Sequence, residues 1–319
     1  MKVRNQNIDA IKGILILLVV IGHFMLGGLQ SSFLKYFIYC FHMPVFIFVS
    51  GYLLPYPKWK QTSMIQIVGS YRYRVIFPWM IAVAIFCFLN IGIHHAQENP
   101  LWILLRHYVK PFFHLWYIPS FLLFVLLSRA FILKVNRHLG LAIAILVSCS
   151  FYAINENGIW ENGTGVFSTL FTTFRMQYWM FFVFGGYCKG VSIKWPPYVW
   201  YSIFILYVSV VIFHWFNPSL VGKVLIFVPL NGWMMMVIPQ LWEHQQFSPP
   251  RWLVWCGEQT MGIYLWHMIP ILLIKHNAAL FPPLAYYVTI IISLFVLFYF
   301  LHWASRIPFF KTWFLGIKT

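Results

Sequence analysis

The chain has 319 residues, of which 61% are hydrophobic, 21% aromatic and only 9% charged. A soluble domain carries roughly a quarter of its residues as charged side chains, so this composition excludes a mostly water-solvated surface and describes a protein that faces lipid. The formal charge of +16 does not point to nucleic acid, because the basic residues are scattered in small groups between apolar runs, as topology signals are, and form no stripe along one face.

A bilayer core needs roughly 20 apolar residues per helix. That length divides the chain into about ten spans, near 9–28, 33–55, 75–94, 113–133, 139–155, 175–191, 198–216, 221–242, 258–275 and 284–304. The stretch 100–112 reads as a surface helix, and "ENGIWENGTG" as a loop rich in Asn and Gly. No small-residue cleavage site follows the first apolar run, so that run is expected to be a retained span. No repeat, linker or second domain interrupts the pattern, which predicts an all-α integral membrane bundle forming a single domain over 1–319. With the N-terminus in the cytoplasm, sixteen of the 22 Lys and Arg fall on one side, a positive-inside bias that puts both termini there. The five cysteines (Cys40, Cys87, Cys149, Cys188, Cys256) lie in apolar stretches with no metal-like spacing, and no metal is expected.

Ionisable residues inside such runs need a partner or a purpose. In the first span, Asp9 and Lys12 share a helical face at a spacing of three, and His23 lies eleven residues beyond Lys12, roughly 16 Å along a helix. A capped, ion-paired helix start would account for the first two alone. The second span, "CFHMPVFIFVSGYLLP", places His42 ahead of Pro44, which frees backbone carbonyls. Running inward from the outer face, His42 reaches a depth like that of His23, which suggests a shared polar cavity. Ser50 and Gly51 follow, either for helix packing or for close approach of a ligand. Arg72 and Arg74 in "SYRYRVIFPWM" open the third span, as topology anchors or as a phosphate clamp. "FFHLWYIP" sets His114, Trp116 and Tyr117 at the outer mouth of the fourth span, where an aromatic belt would also place them. Arg175 opens the sixth span, and "GEQTMGIYLWH" carries His267 mid-span. His214, His276 and His302 read as interfacial.

Taken together, these stretches resemble the integral-membrane acyltransferase family three. Lys12, ten intervening residues and His23 match its Arg/Lys-x10-His motif; "FHMPVFIFVSGYLLP" is similar to its second span, and "YRYRVIFP" to its Arg-rich third. "HLWYIPSFL" and "MGIYLWH" resemble two further segments in the same order. Within the family, the fucose-acetylase-like branch of sugar O-acetyltransferases begins in much the same way. The resemblance implies transfer of an acyl group, usually acetyl from acetyl-CoA as co-substrate, onto a hydroxyl of a cell-surface or lipid-linked glycan, in a bacterial cytoplasmic (inner) membrane. It implies catalytic roles for His23, Lys12, Asp9 and His42, with His23 as general base or acyl carrier. Arg72, Arg74, Ser50 and Gly51 would then hold the donor, and His114, Trp116, Tyr117, Arg175 and His267 the acceptor. The chain departs from the commonest pattern in having Lys at 12 and in the close Arg-Tyr-Arg pair. The alternative is a polytopic glycan transporter or flippase, which would also use ionisable residues near the midplane.

Overall fold

A computed structural model describes residues 5–94, 99–156, 166–189, 195–243 and 248–317, so most of the predicted ENGIWENGTG loop lies outside the described residues. Every regular element among them is helical. In chain order the first are α1 (Gln6–Phe24), α2 (Phe33–Tyr52), α3 (Tyr56–Trp59), α4 (Met64–Tyr71) and α5 (Phe77–His94). Next come α6 (Pro100–Val109), α7 (Tyr117–Ala130), α8 (Arg137–Glu156), α9 (Val166–Phe174) and α10 (Trp179–Cys188). The rest are α11 (Pro197–Phe216), α12 (Leu220–Leu225), α13 (Asn231–Glu243), α14 (Arg251–Glu258), α15 (Thr260–Trp266), α16 (Met268–His276), α17 (Pro283–Ala304) and α18 (Pro308–Trp313).

Among the described residues, eight helical runs are long and apolar enough to cross a membrane: Gln6–Phe24, Phe33–Tyr52, Met64–Leu89, His114–Lys134, Arg137–Glu156, Pro197–Phe216, Leu220–Gln240 and Pro283–Ala304. The two other expected spans are helical but interrupted. The one at 175–191 starts at a left-handed residue, Arg175, and continues as the ten residues of α10. The one at 258–275 is divided among α14, α15 and α16, with breaks at Gln259 and His267. At both breaks a side chain takes a backbone carbonyl: Thr260 Oγ1 donates to Gly257 O (2.6 Å), and the His267 ring bonds Ile263 O and Tyr264 O (both 2.9 Å). The third span begins earlier than expected because α4 and α5 are joined through a π-turn, Arg72–Ile76. Pro78 has no N–H to offer the preceding turn, which favours such a widened register.

Packing gathers the chain into two compact units, each discontinuous in sequence: 1–54 with 184–260, and 55–183 with 261–319. In the first unit α1 lies against α14 at glycine contacts. A Cβ on Gly257 would overlap the Asp9 carbonyl, and one on Gly13 the Leu253 carbonyl. Small residues at a helix crossing allow this backbone approach, which is how helices associate where lipid removes the hydrophobic drive. Helix α2 is tied to α13 through its proline. Without an N–H at Pro44 the Cys40 carbonyl loses its helical donor, and the fully buried Asn231 supplies one from Nδ2 at 2.9 Å. Tyr207, Val211, Ile226 and Leu230 form a buried cluster beside it.

In the second unit, buried hydroxyls pin the broken sixth segment. Ser120 Oγ donates to Thr173 O (3.0 Å) and Ser148 Oγ to Met176 O (3.0 Å), while Thr173 Oγ1 donates to Val109 O (3.0 Å). Elsewhere in the unit, α18 sets Trp313 against Phe77 (ring centroids 5.3 Å, 27°), and Trp266 Nε1 donates to Phe314 O at 3.0 Å.

Candidate functional site

In the first unit the predicted inner end of α1 is an ion pair. Asp9 is 4% exposed, and Lys12 Nζ reaches its Oδ1 at 3.2 Å. At the other end of α1, His23 and His42 flank one residue, Tyr39. The Tyr39 ring meets His23 edge-on at 6.5 Å and 74°, and His42 at 4.9 Å and 63°. Gly22 makes room for this ring, since a Cβ there would press on the Tyr39 edge. Lys35 Nζ donates to the Met25 and Gly27 carbonyls (3.3 and 2.8 Å), which holds the end of α1 just past His23.

The buried His42 places Nδ1 2.7 Å from Ile38 O. A carbonyl only accepts, so Nδ1 carries the proton and the lone pair of the neutral ring sits on Nε2. Ser50 Oγ donates back to Phe46 O at 2.9 Å, and Gly51 is buried. The close approach at this level is made by Gly185 of α10, where a Cβ would overlap the backbone of Phe48 and Tyr52. His214, expected to be interfacial, is 4% exposed. Its Nδ1 lies 2.6 Å from Tyr36 Oη and its Nε2 3.0 Å from Ser219 O, with Gly222 leaving space for the ring.

A second histidine pair stands in the second unit. His114 and His267, 4% and 0% exposed, have ring centroids 4.9 Å apart at 66°. Tyr264 packs edge-on to His114 at 5.3 Å and donates its hydroxyl to the His114 carbonyl; Tyr117 packs on Tyr264 at 5.7 Å. His267 Nδ1 faces two carbonyls, which again leaves the neutral lone pair on Nε2. Trp116 goes elsewhere: it carries the Arg175 guanidinium over its ring at 5.2 Å and stacks on Tyr178 at 5.7 Å and 21°. Arg72 and Arg74 are both exposed on the π-turn. Arg72 sits 4.7 Å from the Tyr73 ring centroid, and Tyr73 packs edge-on to Trp313 at 5.7 Å. Gly316, with φ +64°, abuts the Arg74 carbonyl, where a Cβ would not fit.

A family model described as an acyltransferase domain, that of acyltransferase family three, matches residues 5–303. The chain belongs to this family. No curated protein and no solved structure gives a match. The protein is therefore a multi-pass membrane acyltransferase.

The acyltransferase builds its two histidine pairs in the same way. Ile38-Tyr39-Cys40-Phe41-His42-Met43 and Ile263-Tyr264-Leu265-Trp266-His267-Met268 are one pattern, Ile-Tyr-x-x-His-Met, used once in each unit. In both copies the histidine Nδ1 bonds the isoleucine carbonyl four residues back, and the tyrosine packs against a histidine from another helix. Tyr39 and Tyr264 were not singled out by sequence reasoning. The repeated hexapeptide was the available signal. What the arrangement offers chemically is a pair of imidazoles in each unit, with at least one ring in each held in the tautomer whose Nε2 is the proton acceptor.

Proposed function

We propose that this acyltransferase moves acetyl from cytoplasmic acetyl-CoA to a hydroxyl of a cell-surface or lipid-linked glycan in a bacterial cytoplasmic membrane, and that His23 is its general base or acyl carrier. The observation that carries the reading is the edge-on packing of His23 and His42 about Tyr39, on a helix whose other end holds the Asp9–Lys12 pair. Alcohol attack on a thioester requires loss of the hydroxyl proton and departure of a thiolate. In the direct route His23 takes the proton, the acceptor oxygen bonds the carbonyl carbon, and the carbon–sulfur bond breaks. The proton then passes to the CoA thiolate. In the covalent route the imidazole nitrogen takes the acetyl group first and releases CoA, and the acceptor hydroxyl displaces it in a second step. His42, with Nδ1–H fixed on Ile38, steadies the second ring for either route.

Arg72 and Arg74 are the proposed donor-phosphate ligands, since two exposed guanidiniums on one turn suit phosphate oxygens. Lys12 with Asp9 on α1, and Ser50 and Gly51 on α2, are proposed to serve the donor as well. His114, His267, Trp116, Tyr117 and Arg175 are proposed to meet the acceptor. Membrane vesicles containing the protein and supplied with labelled acetyl-CoA should incorporate label into their glycan fraction. Vesicles that hydrolyse or ignore the donor, with no label in glycan, would remove this reading.

A further inference from the structure

We infer that Arg175 is a binding residue for an oxyanion on the acyl acceptor, a sugar carboxylate or the phosphate that joins a glycan to its lipid. This rests on the acceptor reading above and specifies its chemistry. Arg175 has φ +41°, and it is the one non-glycine residue with positive φ among the described residues. An arginine gains nothing from the left-handed region, which glycine or asparagine adopts more readily. The neighbouring backbone nevertheless fixes it there. Two residues before it, Ser120 holds the Thr173 carbonyl. One residue after it, Ser148 holds the Met176 carbonyl and also accepts from Met180 N at 2.9 Å. Strain maintained by surrounding contacts is characteristic of sites that position a group for a task.

The group positioned is a guanidinium laid over Trp116, whose ring is stacked in turn on Tyr178. Its Nε is buried and has no hydrogen-bond partner among the described residues. With its Nε buried, this half-buried guanidinium is only partly served by an aromatic face, which answers its charge but not that in-plane donor. Its planar fork matches the two oxygens of a carboxylate or phosphate. The chain offers few internal answers, with six acidic residues against 22 Lys and Arg, and Asp9 already engages Lys12. An anion brought by the substrate would complete the arrangement.

The test uses the full-length protein in detergent micelles, with two matched pairs of probes at equal ionic strength: glucuronate against glucose, and farnesyl phosphate against farnesol. Ligand binding is read as an upward shift of the thermal unfolding midpoint. The charged member of one pair should stabilise the wild type more than its neutral partner, and that pair identifies the source of the oxyanion. Arg175→Gly relieves the backbone and should fold, yet lose the preference. Arg175→Lys should keep it with roughly tenfold weaker apparent affinity, because the fork is lost. No preference in the wild type for either charged probe would overturn the inference, as would a preference retained by R175G. If R175G does not fold, R175K decides, and wild-type affinity there would assign Arg175 to stacking alone. The readout needs no turnover. Preference without any acyl transfer would leave this site standing and remove the catalytic reading, whereas transfer without preference would remove this site alone.

Discussion

His42 and His267 illustrate how a side chain in a helix can be committed to one chemical state by its own backbone. Each gives its Nδ1 to a carbonyl four residues back, so each presents Nε2 as the acceptor. An asparagine at 42 retains a donor near the Nδ1 position and has no basic nitrogen. His42→Asn is therefore expected to keep the unfolding midpoint of the wild type and, if the two rings about Tyr39 work together, to lose transfer comparably to loss of the His23 base, by about 10²–10⁴-fold. Initial rates within about tenfold of wild type would reduce His42 to a packing role. At this scale the sequence was informative where the residue was rare and misplaced. A single aspartate, a lysine and a histidine stood out against an apolar helix, and Asp9 and Lys12 pair as their spacing of three puts them. Tyr39 and Tyr264 did not stand out among 18 tyrosines, because an aromatic in a membrane helix is ordinary until its neighbours are known.

At the level of elements, the long apolar runs were legible and the breaks were not. Hydropathy measures the solvent of a segment and is blind to where a threonine hydroxyl or an imidazole will take a carbonyl, as both do at the divisions among α14, α15 and α16. Proline in α2 was legible, including the freed carbonyl, but the donor that answers it comes from 191 residues away in sequence. The two should be coupled. Asn231→Leu should destabilise by about 1–3 kcal/mol by leaving the Cys40 carbonyl unpaired. The same change in a Pro44→Ala background should cost much less, since an alanine N–H restores the helical bond. A double-mutant cycle on thermal unfolding in micelles measures this, and additive effects would sever the link. At the α1–α14 crossing, Gly257→Ala places a methyl group on the Asp9 carbonyl. It should lower stability by about 1–3 kcal/mol by overpacking and disturb the Asp9–Lys12 pair. A variant as stable as wild type would mean that the helices can separate there without cost.

For the whole molecule, the sixteen-to-six division of basic residues predicts both termini on the cytoplasmic side. Reporter fusions at residue 160 and at the C-terminus should report opposite faces of the membrane, and matching signals would refute that topology. The division of the chain into two units, each assembled from separated stretches, was not legible, because hydropathy carries no information on which helices pair. Donor and acceptor functions also separate by test. Replacing both Arg72 and Arg74 with Gln should raise the KM for acetyl-CoA far more than that for the acceptor, whereas reduced insertion with unchanged kinetics would return them to anchoring. The central claim is that His23 carries the reaction, and its most direct test is labelled acetyl transfer by purified His23→Ala protein that still inserts and still binds acetyl-CoA. The account predicts a rate at least about 10²-fold below wild type; a drop of less than about tenfold would contradict it.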